Sequence, residues 1–333
     1  MNENPRQALL RLVSGYQLSQ ALHAAARLDV GDRLARGPRS SEELAAETGT
    51  HADALYRLLR ALAAAGVLRE LDDRRFELAE LGEGLRSDVP GSVHGWALMI
   101  GRPLHWNTWS SLVESIRTGE NTFRLVHGTD VWSYRAQRPE EAAIFDSAMT
   151  SITGLVDDAV LHAYDFSHFR EVVDVAGGRG ALLAAILARY AAVRCVLFDQ
   201  PDVVANAGAL LGSFGDRCRV VGGSFFERVP PGADAYLLKS ILHDWEDDDC
   251  VTILRVIGEA MPEHGVVLVL ERDLGRPNEN AAAKLSDLNM LVNPGGRERS
   301  QDEYAALFAA AGLRYVGATP STAGVSIFEA AAG

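Results

Sequence analysis

The stretch EVVDVAGGRGALLAAILARYAAVRCVLFD, residues 171–199, decides how the rest of the chain is read. Its opening run, Val172-Val173-Asp174-Val175, is apolar and β-branched, as a buried strand requires. Ala176-Gly177-Gly178-Arg179-Gly180 then turns the chain, Ala181 to Leu187 reads as a buried helix, and Val193 to Phe198 as a second strand ending on Asp199. Glycines accept positive φ and let a ligand approach the backbone. Asp199 stands near the spacing of about 20 residues at which an acid on the next strand takes the hydroxyls of a ribose. A glycine turn by itself serves equally to pack a helix on a strand. The flanking strands and the spaced acid favour a nucleoside ligand.

The turn does not complete a G-x-G-x-x-G fingerprint, because Leu183 stands where a third glycine or alanine would close it around a pyrophosphate. No G-x-x-x-x-G-K-[ST] occurs, which excludes a P-loop. A ligand with ribose and adenine but no phosphate fits best, and S-adenosylmethionine is the common one.

Downstream, apolar runs recur near 171–176, 193–199, 218–222, 234–239 and 265–271, with helical patterns between them. Cys250, Ile253, Leu254, Ile257 and Met261, for instance, fall on one helical face. This alternation predicts an α/β, doubly wound parallel sheet with ligands at the carboxyl ends of its strands. The runs 313–318 and 325–330 predict an antiparallel hairpin at one edge.

Upstream, residues 6–35 look helical, with Leu9, Leu10, Leu12, Val13, Leu18, Leu22 and Ala25 on one broad face. Ser40-x-x-Glu43 predicts a capping box on a helix closed by Gly49. Thr50-x-x-Asp53 is expected to cap a second helix with Leu55, Leu58, Leu59 and Leu62, ended by Gly66. A hairpin over 67–71 and 76–78 completes a winged-helix pattern. Such a module binds DNA or another protein. Its second helix offers only His51, Arg57 and Arg60 to a nucleic acid and ends in alanines, which favours dimerisation.

The net charge of −13 and pI near 5.2 disfavour a polyanionic partner. At 333 residues and 47% hydrophobic content, two domains are expected. The start MNENPRQALLRL is no signal peptide, and no apolar run approaches the ~20 residues of a membrane span. Cys195, Cys218 and Cys250 are scattered without C-x-x-C, as suits a cytoplasmic protein with neither disulfides nor a zinc site.

Two regions carry candidate chemistry. Leu237 to Trp245, LLKSILHDW, places His243 just past a buried strand beside the nucleoside strands. Glu271, at the end of the following strand, and Glu298, in NPGGRER, could hold one ring nitrogen and raise basicity at the other. Methyl transfer to a phenol rewards such a base, since ionising a group of pKa near 10 at pH 7 costs about 4 kcal/mol. The region between His94 and Phe145 holds Trp96, Trp106, Trp109 and Trp132, with Met149 beside it. Singly these suit a core; together they suit the walls of an aromatic pocket. No metal is expected.

The motifs VVDVAGGRG, LFDQP, GGSFFERVPPGADAYLLKSILHDWEDD, LVLERD and DLNMLVNPGGRERSQDEYAALFAAAGL together resemble the class I S-adenosylmethionine-dependent O-methyltransferases of the plant caffeate/flavonoid and bacterial polyketide-tailoring type, over nearly the whole chain. The resemblance implies a homodimer through a mainly α winged-helix-like domain at 1–100, a helical substrate-lining segment at 101–165 and a Rossmann-like catalytic domain at 166–333. It implies His243 as base, flanked by Glu271 and Glu298. Cofactor contacts are implied at Asp174, Gly177, Gly178 and Gly180 of the turn, at Asp199 and Gln200, and at Ser224, Phe225, Phe226 and Lys239. The aromatic substrate would meet Asp244, Met290 and Asn293, with Trp106, Trp109, Phe145 and Met149 as walls. Ala176 replaces a common glycine, which needs only an unstrained φ. Ser224 replaces an aspartate that contacts the adenine amine, leaving a neutral hydrogen bond there. The same fold also hosts C-methylation, hydroxylation, decarboxylation or cyclisation, and a metabolite-sensing DNA-binding regulator is the reading from another class.

Overall fold

The central strands of the C-terminal half form on short continuous apolar runs that are buried on both faces. The structure, a computed structural model, describes residues 4–205 and 208–333. The chain falls into two compact units, Met1–Ser110 with Trp132–Thr153, and Ser111–Val131 with Gly154–Gly333. Residues of the segment 101–165 are shared between them.

In the first unit, a small antiparallel sheet of β1 (Arg39–Ser40), β2 (Leu68–Glu70) and β3 (Arg75–Leu78) is ordered β1-β3-β2. It packs with the helices Ser41–Thr48 and Ala52–Ala64 around buried Leu44, Leu55, Leu59, Leu62 and Phe76. The capping box forms as expected: Ser40 Oγ accepts from the Glu43 N–H, Glu43 Oε2 accepts from the Ser40 N–H, and Gly49 closes the helix at φ 66°. The second cap is a correction. Thr50 Oγ1 is bonded to Thr48 Oγ1 instead, and His51 is the N-cap, its Nδ1 accepting from the Ala54 N–H at 3.4 Å. The N-terminal helical stretch is also interrupted, into Pro5–Val13, Gly15–Arg27 and Val30–Leu34. Leu9, Leu10, Leu12 and Val13 on the first of these are all exposed, Leu12 to 78%.

In the second unit, seven strands among the described residues form one sheet, ordered β6-β5-β4-β7-β8-β10-β9. They are β4 (Glu171–Val175), β5 (Arg194–Asp199), β6 (Cys218–Gly222), β7 (Ala235–Lys239), β8 (Val266–Glu271), β9 (Leu313–Pro320) and β10 (Ser326–Ala332). The first five are parallel, and β10 and β9 add an antiparallel hairpin at the edge. Alternation assigns Val173, Val175, Tyr236, Leu238, Val267 and Val269 to one apolar layer and Val172, Leu237, Leu268 and Leu270 to the other. Both faces are covered, as a parallel sheet requires. Asp174 falls on the Val172 face and is the one acid buried within β4. Among the described residues, no helix is long and apolar enough to cross a membrane.

Candidate active site

The carboxyl ends of β4 and β5 build the first half of the site. Gly177 is glycine for want of space: a Cβ there would lie 2.5 Å from the Asp174 carboxyl carbon and 2.7 Å from Leu197 Cδ1. Gly178 is glycine for its φ of +61°, and a Cβ on it would meet nothing within 4 Å, which makes it the open side of the turn. Gly180, at φ +81°, caps the helix Ala181–Arg189. Asp199 ends β5 and fastens the turn, its Oδ2 accepting from the Gly178 N–H at 2.8 Å while Oδ1 accepts from the Gln200 N–H at 2.6 Å. Behind it, both carboxylate oxygens of Asp174 are buried and without a hydrogen-bond partner among the described residues. Burial pushes that carboxyl up to about 7, against the pull of the Lys239 charge.

Ala176 corrects the expectation of an unstrained φ. It sits at φ +59°, in the left-handed region, with its N–H donating to Phe198 O at 2.7 Å. A side chain costs about 1–2 kcal/mol there, and glycine's larger unfolded-state entropy offsets about 0.4–1 kcal/mol of that. Ala176→Gly should therefore raise the melting temperature by a degree or more; a fall would show the turn to be unstrained. Ser240, just past β7, shares this strain at φ +56°. Both residues lie at the ligand edge of the sheet, where strain is commonly stored.

Ser224, Phe225 and Phe226 follow β6. Ser224 Oγ accepts from the Phe226 N–H at 3.3 Å, and Phe225 and Phe226 pack edge-on against Trp245. Lys239 ends β7 and pairs with Asp157 of the helix Pro139–Ala163 at 2.6 Å. Asp157 escaped sequence reasoning, since the acid pair Asp157-Asp158 in an otherwise helical pattern reads as a solvent face. Burial raises its carboxyl, and the Lys239 ammonium counters part of that rise.

The second half is the turn Leu242–Asp244 beyond β7. His243 Nδ1 lies 3.1 Å from Glu271 Oε2 and 3.4 Å from Glu298 Oε1, and its Nε2 lies 3.6 Å from Asp244 Oδ1. The 3.1 Å approach is off hydrogen-bond geometry, so its attraction is coulombic in this conformation. Glu271, at the end of β8, also receives the turn's backbone: Oε1 accepts from the Ile241 N–H at 2.9 Å and the His243 N–H at 3.3 Å. Arg299, 1% exposed, holds the same turn from the other side. Its guanidinium donates to Leu242 O at 2.9 Å, Trp245 O at 2.8 Å and Asp247 Oδ1 at 2.7 Å. Glu271 thus accepts from the turn's N–H groups and Arg299 donates to its carbonyl oxygens. Nothing in the sequence marked Arg299, because a lone arginine beside an acid reads as surface.

Burial by itself would depress the His243 imidazole. The carboxylates of Glu271, Asp244 and Glu298 outweigh burial and hold it well above its usual value. With Nδ1 facing Glu271 and Glu298, Nε2 is the nitrogen left to take a proton. Ligand atoms of His243, Glu271 and Glu298 also lie within 4.8 Å of one another, close enough to hold a cation, a capacity the sequence did not signal.

The expected substrate contacts divide between the units. Met290 and Asn293 belong to the second, where Asn293 Nδ2 donates to Asn289 Oδ1 at 2.7 Å and Asn121 Nδ2 donates to the main-chain oxygens of Leu291 and Asn293. Trp106, Trp109, Phe145 and Met149 belong to the first. There Trp106 and Trp109 line an apolar cleft with Ile100 and His105, and Phe145 packs edge-on against Trp132. His105, which the sequence did not single out, is pushed down to about 4 by burial and then by the Arg135 charge, and so is neutral at pH 7.

A glycine turn tied to an acid on the next strand, with a partly buried histidine and two buried glutamates past the neighbouring strands' carboxyl ends, defines a nucleoside-cofactor group transferase that can also move a proton. Comparison with known proteins is specific. An O-methyltransferase domain model matches residues 109–314, and an O-methyltransferase dimerisation domain model matches residues 10–87. The chain is 41% identical to a phenazine O-methyltransferase of Lysobacter antibioticus, over 97% of this chain and 95% of that protein. It is 42% identical to the O-demethylpuromycin-O-methyltransferase of Streptomyces alboniger, over 98% and 89%. The solved structure of human N-acetylserotonin methyltransferase in complex with S-adenosylmethionine superposes with a TM-score of 0.91 at 28% identity, over 100% of this chain and 99% of that one. The chain belongs to the S-adenosylmethionine-dependent O-methyltransferase family.

The residues present fit that cofactor. Gly178 leaves its side of the turn open, Asp199 stands at the strand end where ribose hydroxyls are taken, and Asp174 offers an unpartnered buried carboxyl to the same turn. When bound, S-adenosylmethionine supplies a sulfonium-activated methyl group.

Proposed function

We propose that the chain methylates a phenolic hydroxyl of an aromatic or polyketide-type small molecule in natural-product biosynthesis, with His243 as general base. The carrying observation is the clamp on His243 Nδ1 by Glu271 and Glu298, which leaves Nε2 as proton acceptor. A carboxylate acceptor would need no base, whereas a phenol does. Glu271 and Glu298 orient the ring. Asp174, Gly177, Gly178, Gly180, Asp199 and Gln200 hold the cofactor at one end, and Ser224, Phe225, Phe226 and Lys239 surround its other parts. Asp244, Met290 and Asn293 meet the acceptor. Two relatives that match over most of this chain are named for aromatic or antibiotic acceptors, phenazine and O-demethylpuromycin, which supports the substrate class.

The N-terminal region, 1–100, makes a homodimer, 101–165 lines the substrate, and 166–333 is the catalytic domain. The exposed Leu9, Leu10, Leu12 and Val13 face and the dimerisation-domain match support the first of these. The test is mass spectrometry of phenolic, naphthoic and anthracycline-like acceptors incubated with the protein and S-adenosylmethionine, with the mass of the same preparation measured by sedimentation. A product heavier by one methyl, formed with one S-adenosylhomocysteine, is expected from a dimer. Products without a methyl gain would replace this reading by cofactor-bound hydroxylation, decarboxylation or cyclisation.

A further inference from the structure

Lys239, at the carboxyl end of β7, is held by an acid to which the proposed function gives no part. Its Nζ donates to Asp157 Oδ1 at 2.6 Å, with 15% of the lysine side chain and 6% of the aspartate side chain exposed. Asp157 comes late in the helix Pro139–Ala163, whose Val160 and Leu161 pack in the same apolar layer as Val172 and Leu237. In the register of the parallel pair, Asp174 of β4 stands beside Leu237, so Lys239 lies two residues further along the same face. With strands about 4.8 Å apart and a rise of about 3.3 Å per residue, the Cα atoms of Asp174 and Lys239 are about 8 Å apart. Asp174 in turn lies under the glycine turn, where a Cβ on Gly177 would come 2.5 Å from its carboxyl carbon. The Asp157–Lys239 pair therefore borders the turn assigned to the cofactor. An ion pair of this kind can simply stabilise a fold. Here, however, the ligand is itself charged. S-adenosylmethionine carries a sulfonium and S-adenosylhomocysteine a neutral thioether, so substrate and product differ by one methyl group and one positive charge. An unbalanced ammonium beside the turn would repel the first and not the second.

We propose that Asp157 is a positioning residue that acts through Lys239: it fixes the ammonium beside the cofactor and balances its charge, so that the site favours cationic S-adenosylmethionine over neutral S-adenosylhomocysteine. The inference rests on the proposed place of Lys239 at the cofactor. The lysine keeps donors free for the ligand, since an ammonium has three and Asp157 Oδ1 takes one. Its charge, by contrast, is spent on the aspartate. The same balance bears on product release, because a site that discriminates by charge lets go of the cofactor once the methyl group and its sulfonium charge have left.

The experiment is calorimetry of S-adenosylmethionine and S-adenosylhomocysteine binding to the intact protein. Asp157→Asn keeps the shape and an acceptor for Lys239 but removes the negative charge, and Lys239 stays protonated because its side chain is partly open to water. S-adenosylmethionine should then bind about 3–10-fold more weakly, with S-adenosylhomocysteine within about twofold of wild type. Lys239→Met should weaken both ligands alike, because a shared contact goes and the stranded, buried carboxyl of Asp157 takes up a proton. Adding Asp157→Asn to Lys239→Met should change neither affinity further. Equal weakening of both ligands by Asp157→Asn, as a purely structural pair would give, or no change in either, would overturn the proposal. Should Asp157→Asn not fold, Asp157→Ser, which retains a smaller acceptor, is read for the same split. Lys239→Met with both affinities untouched would overturn it differently, by removing Lys239 from the cofactor site. None of these measurements needs a methyl acceptor, so a failed acceptor panel and a failed Asp157 test are distinct results.

Discussion

Replacing His243 with alanine is expected to lower kcat by about 10²–10⁴-fold while leaving S-adenosylmethionine binding, measured by calorimetry, within twofold of the wild type. In the proposed mechanism the ring takes the acceptor's proton, whereas the cofactor would be held by the turn after β4, which Asp199 at the end of β5 fastens. The wild-type pH profile should carry the signature of that ring. Because the glutamates raise the His243 pKa, the neutral base appears only above the usual imidazole value, and kcat/KM should climb along an acidic limb lying above pH about 6.5. Glu271→Gln removes one of those negative charges, so its limb should move to lower pH, and His243→Ala should have none. The linkage to stability runs the same way. A histidine whose folded pKa is raised contributes stability that is fully present below pH about 6.5 and is lost as pH rises through the folded value. Turnover within threefold of wild type in His243→Ala would remove the general base from the mechanism.

Arg299→Met should be the most damaging change outside the reacting groups. Methionine fills much of the volume but removes the guanidinium from the main-chain oxygens of Leu242 and Trp245, leaving Trp245 O only the weak Cys250 thiol donor and Leu242 O that thiol with the Trp245 N–H. Each charge-assisted hydrogen bond so lost costs about 1.5–3 kcal/mol, for a total of roughly 3–6 kcal/mol. The melting temperature should drop by on the order of 10 °C, at roughly 2–4 °C per kcal/mol. Activity should fall further than stability explains, because the turn that loses its anchor carries His243. Arg299→Lys should rescue only part of this, since an ammonium cannot fork to both oxygens and Asp247 at once. A melting temperature and kcat equal to wild type in Arg299→Met would show that the turn is held by Glu271 and its own helical geometry.

The chain's sequence by itself determined whatever is encoded over short spans. The parallel strands, the edge hairpin, the Ser40 capping box and the glycine turn with its spaced acid all depend on alternation, capping and turn chemistry within a few residues, and each forms where the sequence places it. The positions of His243 and Glu271 were legible too, because His243 lies just past one strand and Glu271 ends the next, and the sheet sets such ends side by side. Where two local signals competed, tertiary structure chose. Thr50 and His51 could each cap the same helix, and the bond between Thr50 and Thr48 left the cap to His51. Ala176 gave no warning of a positive φ, because the turn's geometry follows from its N–H reaching Phe198 O on the neighbouring strand. The rest of the site was decided only in three dimensions. Asp157 meets Lys239 across 82 residues of sequence, and Arg299 meets Leu242 across 57. A lone charge in sequence looks the same whether it faces water or anchors a turn. What separates the two is burial among partners distant in the chain, and burial belongs to the packed fold.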